Sequence, residues 1–557
     1  MSSYINSTDP TPFDQIIVVT QKVINASFQN MWELAQLDDQ DSPLKHFEES
    51  MRGGDYLKVD IGAPSVQLQT TTSDPMLYFM LKMTSGSVLL YLSSNPNDDS
   101  NINWEINDWT FAFSVKIANK SIDKNSAEYQ QFKDRAGLPN WEFSLAQLFL
   151  DASSTTLWEP SLSNFGDRQQ DYMNLSVTAR ATFQTFVDNW LNSMSLSGCN
   201  ILGYSAQASQ DSSDQYQPTF PPTSINYDTY PWRDTPNSPN QNNIDSNALC
   251  YLMMSNFASP ANKTITYSGQ FVDPQHDATF VMNRSLFWPW MFSVLRNVVI
   301  DMIPFPLDPI LYWADTDPNA PYASNISYSF GDTGASSNDY NFFSTSPGQW
   351  AWTGRPIQSS KQVFNNNNTS SNDSETVTQT TNIPSATSSN PSGGTLTFSA
   401  GGEEITLTGK STFTFNVSHD TGSRHKYTLM TFVLTWSVGI AMASVEDGGI
   451  VFNITAGTTN NDFNSVGNLH WNPDVSVVAA EFKAEMDKSL PIAIAKAEAD
   501  LMYALANQQR LFLPAKGSFL MKDPVFSSKG DLMVGLTYNG ADPPKPAPQI
   551  KQQNVRN

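Results

Sequence analysis

Two Asp-Thr-Gly triplets, Asp332-Thr333-Gly334 and Asp420-Thr421-Gly422, are the residues of this chain best suited by type to chemistry. Two such turns can bring a pair of carboxylates close enough to share a proton, the device of aspartic proteases. The flanks argue against that use. Such a turn runs between apolar strands, whereas Ser329-Phe330-Gly331 precedes the first triplet and Ser337-Asn338-Asp339 follows it. Val417-Ser418-His419 precedes the second, and Arg424-His425-Lys426 follows it. Positive neighbours hold Asp420 ionised instead of letting it share a proton. Asp, Thr and Gly are common turn residues, so ordinary turns are the expectation at both positions. An aspartic protease using Asp332 and Asp420 stays open as an alternative only if the two carboxyls lie in near contact.

Other reactive constellations are missing. His46, His276, His419, His425 and His470 are scattered, with no His-Glu-x-x-His pair and no phosphate-cradling glycine loop. Asp315-Thr316-Asp317-Pro318-Asn319 opens like a calcium loop but lacks the glycine and the later glutamate that calcium needs. No Gly-x-Ser-x-Gly elbow occurs. No catalytic residue, cofactor site or metal ligand is assigned, and the expectation is a protein that binds and does not catalyse.

Composition narrows the partners. A net charge of −23 over 557 residues argues against nucleic acid, which demands a basic face, and against electrostatic attraction to anionic membranes. Charged residues are only 15% while Asn, Ser and Thr are abundant, a balance that suits β-rich proteins. Hydrophobic residues at 39% supply a sizeable core. Cys199 and Cys250 allow one bridge at most. The only apolar run near the N-terminus, Ile16–Val19, is too short for a secretory signal, so the expected location is cytoplasmic, or exported without a recognisable signal peptide. Tyr427–Val445 is long and uncharged enough for a membrane helix. Its strict alternation of bulky Phe432, Leu434, Trp436, Val438, Ile440 and Met442 with smaller residues instead predicts a long strand.

The elements that would position any site lie at the two ends. From Val475, the residues Val478, Phe482, Met486, Leu490, Ile494, Ala497, Leu501 and Leu505 recur every three or four positions and predict a long helix. It is dressed with alanines that let other backbone approach, and Pro491 predicts a kink or a second segment. Leu511-Phe512-Leu513-Pro514 ends it, and Ser518–Phe526 and Asp531–Tyr538 then form a hairpin. At the other end Pro12 starts a helix over Phe13–Leu37. Strands follow, with a hairpin turning at Ser85-Gly86-Ser87 and an alternating strand through Trp109, Phe111, Phe113, Val115 and Ile117. Phe143–Leu150 reads as a doubly buried strand, Thr178–Met194 as a helix and Phe287–Leu307 as an aromatic core helix. The segments expected are 1–204, an N-terminal helix with its sheet; 205–357, an irregular middle region; 358–395, a low-complexity linker or loop; 396–540, a sheet with the closing helix and hairpin; and 541–557, a tail. Long strands with one bulky face beside small-residue helices either enclose an elongated apolar groove or fill it with their own side chains.

The two ends resemble the tubular lipid-binding (TULIP) superfamily, most nearly its large members from bacterial toxin gene clusters. The likeness rests on Ala506-Asn507-Gln508-Gln509, Phe512-Leu513-Pro514, Phe519-Leu520 and Phe526-Ser527-Ser528-Lys529-Gly530-Asp531-Leu532, together with the N-terminal helix and Phe143–Leu150. It covers about a third of the chain. The resemblance implies an α+β fold in which long helices are wrapped by highly curved antiparallel sheets, in two sub-modules. It further implies lipid or another elongated hydrophobic ligand held between helix and sheet. The candidate groove is Phe111, Phe113, Val115, Phe432, Leu434, Trp436, Val438, Ile440, Phe482, Met486, Leu501 and Leu505. The alternative is a structural or toxin-associated subunit with a protein partner or oligomer, which predicts an exposed aromatic patch near Phe287–Phe305.

Overall fold

The computed structural model describes residues 8–538. Excepted are the stretches 38–40, 131–142, 152–156, 209–221, 235–242, 259–263, 307–309, 312–323, 368–373, 384–392, 445–449, 468–474, 503–510 and 513–518. Also excepted are positions 52, 73, 94, 96, 99, 100, 124, 127, 128, 256, 257, 326, 327, 337, 338, 422 and 423. The fold is α+β, with extensive antiparallel sheets, one of them curled into a half-barrel around long helices.

A central six-stranded sheet joins the two ends of the chain. Its order is Ser224–Tyr230, Ala248–Met254, Gln15–Thr20, Ala278–Met282, Leu532–Tyr538 and Phe519–Phe526. The last two strands are the expected closing hairpin, matched within one residue. Gln15–Thr20 corrects the expected first helix: those residues form a strand buried along its whole length, and the helix is Gln21–Leu37. Ile16 and Val18 face one apolar cluster with Cys250 and Leu252, while Ile17 and Val19 face the main core. Burial on both faces erases the alternation that marks a strand, and the β-branched run then settles into the extended form it prefers. Ser224–Tyr230 likewise replaces part of the irregular middle region expected over 205–357. Cys199 and Cys250 are both free thiols.

The N-terminal sheet is built on the pairing of Met76–Leu90 with Ile102–Ile122. The hairpin expected at Ser85-Gly86-Ser87 is absent. Met76–Leu90 is one continuous strand, and Gly86 lies where the Tyr56–Ile61 strand presses against it. A Cβ at Gly86 would sit 2.1 Å from the Lys58 carbonyl oxygen, and φ there is +144°. The glycine marks close backbone approach, not a turn. Gly86→Ala is therefore expected to cost at least about 1–3 kcal/mol, from backbone strain plus displacement of the Tyr56–Ile61 strand, as read by chemical denaturation. One face of this sheet is covered by Gln21–Leu37 and by the helix Val177–Leu196, close to the Thr178–Met194 expected. Phe79 packs 5.6 Å from Phe28 and 5.7 Å from both Phe113 and Trp190.

The C-terminal sheet runs in the order Asn341–Ser346, Gln349–Thr353, Gly393–Phe398, Glu404–Thr421, Ser374–Ile383 and Ile357–Asn367. Arg424–Ser444 pairs with Glu404–Thr421 and with Ile450–Gly467. Strands thus occupy much of the stretch expected as a linker. Its polarity misled, because Thr376, Val377, Thr378, Thr380 and Thr381 are β-branched and suit a sheet. The closing helix is a single element, Val475–Met502, about 42 Å long at 1.5 Å per residue, and Pro491 neither ends nor divides it.

A network of ion pairs fastens the N-terminal segment to the closing hairpin. Arg284 Nη1 lies 3.1 Å from Asp531 Oδ1 and 3.5 Å from Asp9 Oδ1, and Lys529 Nζ lies 2.7 Å from Asp9 Oδ2. Burial opposes charge on Asp9, but hydrogen bonds from Lys529 and Thr11 outweigh it and pull the carboxyl from 3.8 down to about 2. A depressed carboxyl stabilises the fold above its unfolded pKa, and that contribution disappears as pH falls from about 4 towards 2. Asp9→Asn is expected to be less stable than the parent at neutral pH, by at most about 2 kcal/mol, and to converge with it near pH 2 in acid unfolding curves.

Candidate functional site: an apolar seam beneath the closing helix

The seam begins in the alternation of Arg424–Ser444. Phe432, Leu434, Trp436, Val438, Ile440 and Met442 are all buried, while the residues between them are half-exposed. Opposite residues of antiparallel strands share a face. Ile405 stands across from Ile440, Leu407 from Val438, Gly409 from Trp436 and Ser411 from Leu434. On the other side Ile454 opposes Ile440 and Phe452 opposes Met442. Gly409 is required by contact, since a Cβ there would lie 2.1 Å from the Trp436 ring.

The closing helix lays one stripe on this face: Phe482, Met486, Leu490, Ala493, Ile494, Ala497 and Leu501 are buried. Ala480, Ala484, Ala495 and Ala499 are exposed, so the sheet covers one side of the rod. Phe482 stacks on Phe432 with centroids 5.6 Å apart and planes 13° apart. Polar contacts fix the helix along its margins. Lys483 Nζ lies 2.6 Å from Asp487 Oδ2, the Thr459 hydroxyl donates to Asp487, and the Ile454 amide donates to Glu498 Oε1 at 3.2 Å. The seam reaches solvent at Phe463, opposite buried Phe432 yet 45% exposed.

The aromatic helix, Arg284–Asp301, covers the rest of the face and is capped by Asn283. Trp288 lies 4.3 Å from Trp350 and 5.3 Å from Phe398, and its Nε1 donates to the Gly530 carbonyl at 2.9 Å. Phe287 and Trp288 are buried, and Trp290 and Phe292 are half-buried against the core. Among the described side chains this helix presents no exposed aromatic patch of the kind the subunit alternative predicts; the side chain of Phe305 lies outside them.

The candidate residues fall into two places. Phe432, Leu434, Trp436, Val438, Ile440, Phe482, Met486 and Leu501 come together in the seam. Phe111, Phe113 and Val115 lie in the N-terminal sheet, where Phe111 meets Phe183 at 5.3 Å. That face is occupied by side chains of the Val177–Leu196 helix. Leu505, the Asp315–Asn319 loop and the tail lie outside the described residues.

Asp332 is committed elsewhere. Its buried carboxylate accepts bonds from Arg355 Nε and Nη2, both at 2.6 Å, from the Tyr340 hydroxyl at 2.9 Å and from the Gly334 amide at 3.1 Å. Burial opposes its ionisation, yet the Arg355 and Tyr340 bonds prevail and hold the carboxyl below its usual range. A carboxylate so neutralised does not share a proton with a second one. Asp420 sits in Glu404–Thr421, opposite His425. Arg355 carried no signal in the sequence, because its partner is fixed by the fold and not by local spacing.

A polar cleft of about 470 Å³ opens at the outer margin, lined by Asp273, Gln275, His276, Gly401, Gly402, Glu403, Asp523 and Val525. His276 Nε2 lies 3.0 Å from Asp523 Oδ2. Among the described residues no group of His, Cys, Asp and Glu is arranged to hold a metal ion, and no helix is long and apolar enough to cross a membrane.

No protein-family model and no curated protein matches this chain. Among solved structures it is similar to P47 from Clostridium botulinum A2, at 8% identity and TM-score 0.46, over 96% of this chain and 100% of that one. It is similar to P47 of Clostridium botulinum E1 at 10% identity and TM-score 0.45, over 95% and 99% of the two chains. A lipopolysaccharide binding protein matches at 10% identity and TM-score 0.32, over 95% and 99%. Likeness at this level transfers no property to the present chain.

Proposed function

We propose that this chain binds a lipid or another elongated hydrophobic ligand between the closing helix and the concave face of the C-terminal sheet, without catalysing a reaction. One observation carries the reading: a long, largely apolar face, from Met442 to Phe432 on the sheet and from Leu501 to Phe482 on the helix, has a solvent-exposed phenylalanine, Phe463, at its end. As it stands the seam is filled by its own side chains, so loading lifts the closing helix. The polar contacts from the sheet to the helix margins, Thr459 to Asp487 and Ile454 to Glu498, set how easily it lifts.

Native mass spectrometry of the purified protein, paired with organic extraction, tests the proposal. The expected result is a co-purifying amphiphile at up to one per chain. A clean ligand-free mass, with no uptake of added fatty acyl probe, would overturn it.

A further inference from the structure

Two buried polar groups interrupt the apolar seam. Ser411 and Trp436 are buried on the face that carries Leu434 and Val438. Ser411 stands opposite Leu434, and Gly409, two residues earlier, stands opposite Trp436. The two side chains are therefore diagonal neighbours on adjacent strands, roughly 7–8 Å apart at their Cα atoms. Neither Ser411 Oγ nor Trp436 Nε1 has a hydrogen-bond partner among the described residues. Two other buried indoles are satisfied. Trp190 Nε1 donates to the Pro43 carbonyl at 2.8 Å, and Trp352 Nε1 donates to the Thr408 carbonyl at 2.9 Å. Trp352 stacks against Trp436 at 6.3 Å, so the same aromatic stack holds one indole with a partner and one without. Thr412 Oγ1 also lacks a partner but follows the opposite parity of the strand, with Val433, and takes no part.

An unmet buried donor costs about 1–3 kcal/mol, and two on one face of an otherwise apolar seam form a standing cost that a ligand oxygen removes. We propose that Ser411 Oγ and Trp436 Nε1 anchor the carbonyl oxygen of an acyl ester whose hydrocarbon chain lies along the seam. The inference rests on the ligand-seam reading above and narrows its occupant. Indole nitrogen is a donor only and a serine hydroxyl can donate, so the pair suits one oxygen with two lone pairs. A neutral ester is favoured over a free carboxylate, because the described inner-face residues beside the pair, Leu407, Gly409, Leu434 and Val438, carry no positive charge to offset a buried one; Lys410 is on the exposed face.

The test uses the full chain, stripped of bound amphiphile, with methyl palmitate, palmitic acid and hexadecane delivered from cyclodextrin, and counts bound ligand by native mass spectrometry. The parent is expected to prefer the ester over the alkane by tenfold or more. Trp436→Phe and Ser411→Ala are each expected to weaken ester binding about fivefold while leaving alkane binding unchanged. Ser411→Ala removes an unmet polar group with little change of volume, so its ligand-free thermal unfolding is expected at or above the parental temperature, whereas Trp436→Phe also gives up buried ring volume and is expected below it. Equal binding of ester and alkane by the parent, or unchanged ester binding by the double variant, would overturn the anchor and leave the seam reading standing. Palmitic acid bound more tightly than its ester would overturn the neutral-carbonyl assignment. Failure of all three probes to bind would remove the seam reading and the anchor together.

Discussion

Arg355→Met is expected to destabilise the protein by about 3–5 kcal/mol in urea unfolding at neutral pH, the cost of stranding a buried carboxylate. Asp332 is enclosed, and among the described residues Arg355 supplies two of its four hydrogen bonds and its one ion pair shorter than 3 Å. Tyr340 and the Gly334 amide remain in the variant but neither carries charge. The sign with pH follows from the direction of the shift. Asp332 is held below its usual range, so the pair contributes fully above the ordinary carboxylate pKa and its contribution fades as pH falls. Parent and variant therefore differ most at neutral pH and draw together in acid. The double replacement Asp332→Asn with Arg355→Met is expected to regain a substantial part of the loss, because it removes the stranded charge along with its partner. A variant as stable as the parent would mean that Asp332 is not enclosed as described.

Phe482→Ala is expected to cost about 3–5 kcal/mol by the same measurement. Phe482 is the largest side chain of the stripe by which the closing helix meets the sheet, stacked on Phe432 and 5.6 Å from Phe330. The control lies on the same helix: Ile492 is 53% exposed, and Ile492→Ala is expected to change stability by no more than about 0.5 kcal/mol. The contrast reports which side of the rod faces the sheet. A lipid bound in the seam would occupy space that the truncation opens, so added ligand is expected to restore more stability to Phe482→Ala than to the parent.

The elements around the seam were legible because each buries a single face. Alternation from Phe432 to Met442 identified a strand where length alone permitted a membrane helix. Every stripe residue from Phe482 to Leu501 is buried on the closing helix, with Ala493 buried beside them. Where burial is two-sided the pattern fails, and Gln15–Thr20, flanked by two apolar clusters, passed for the start of a helix. Gly86 passed for a turn because nothing local announces that another strand's carbonyl will lie against it. Composition hid Ile357–Asn367 behind its serines and asparagines, and Ser374–Ile383 behind threonines that are polar in type but extended by preference. Partnerships such as Asp332 with Arg355, or Ser411 beside Trp436, depend on register and tertiary placement, which periodicity does not fix.

The central claim is that an apolar ligand lies between the closing helix and the C-terminal sheet. Photo-cross-linking with a diazirine-bearing fatty acyl ester, followed by peptide mapping, tests it most directly. The account predicts adducts confined to peptides carrying Phe432–Met442 and Phe482–Leu501, lost when unlabelled ester competes. Adducts scattered over the exposed surface, or gathered on the filled face of the N-terminal sheet around Phe111 and Phe113, would contradict it.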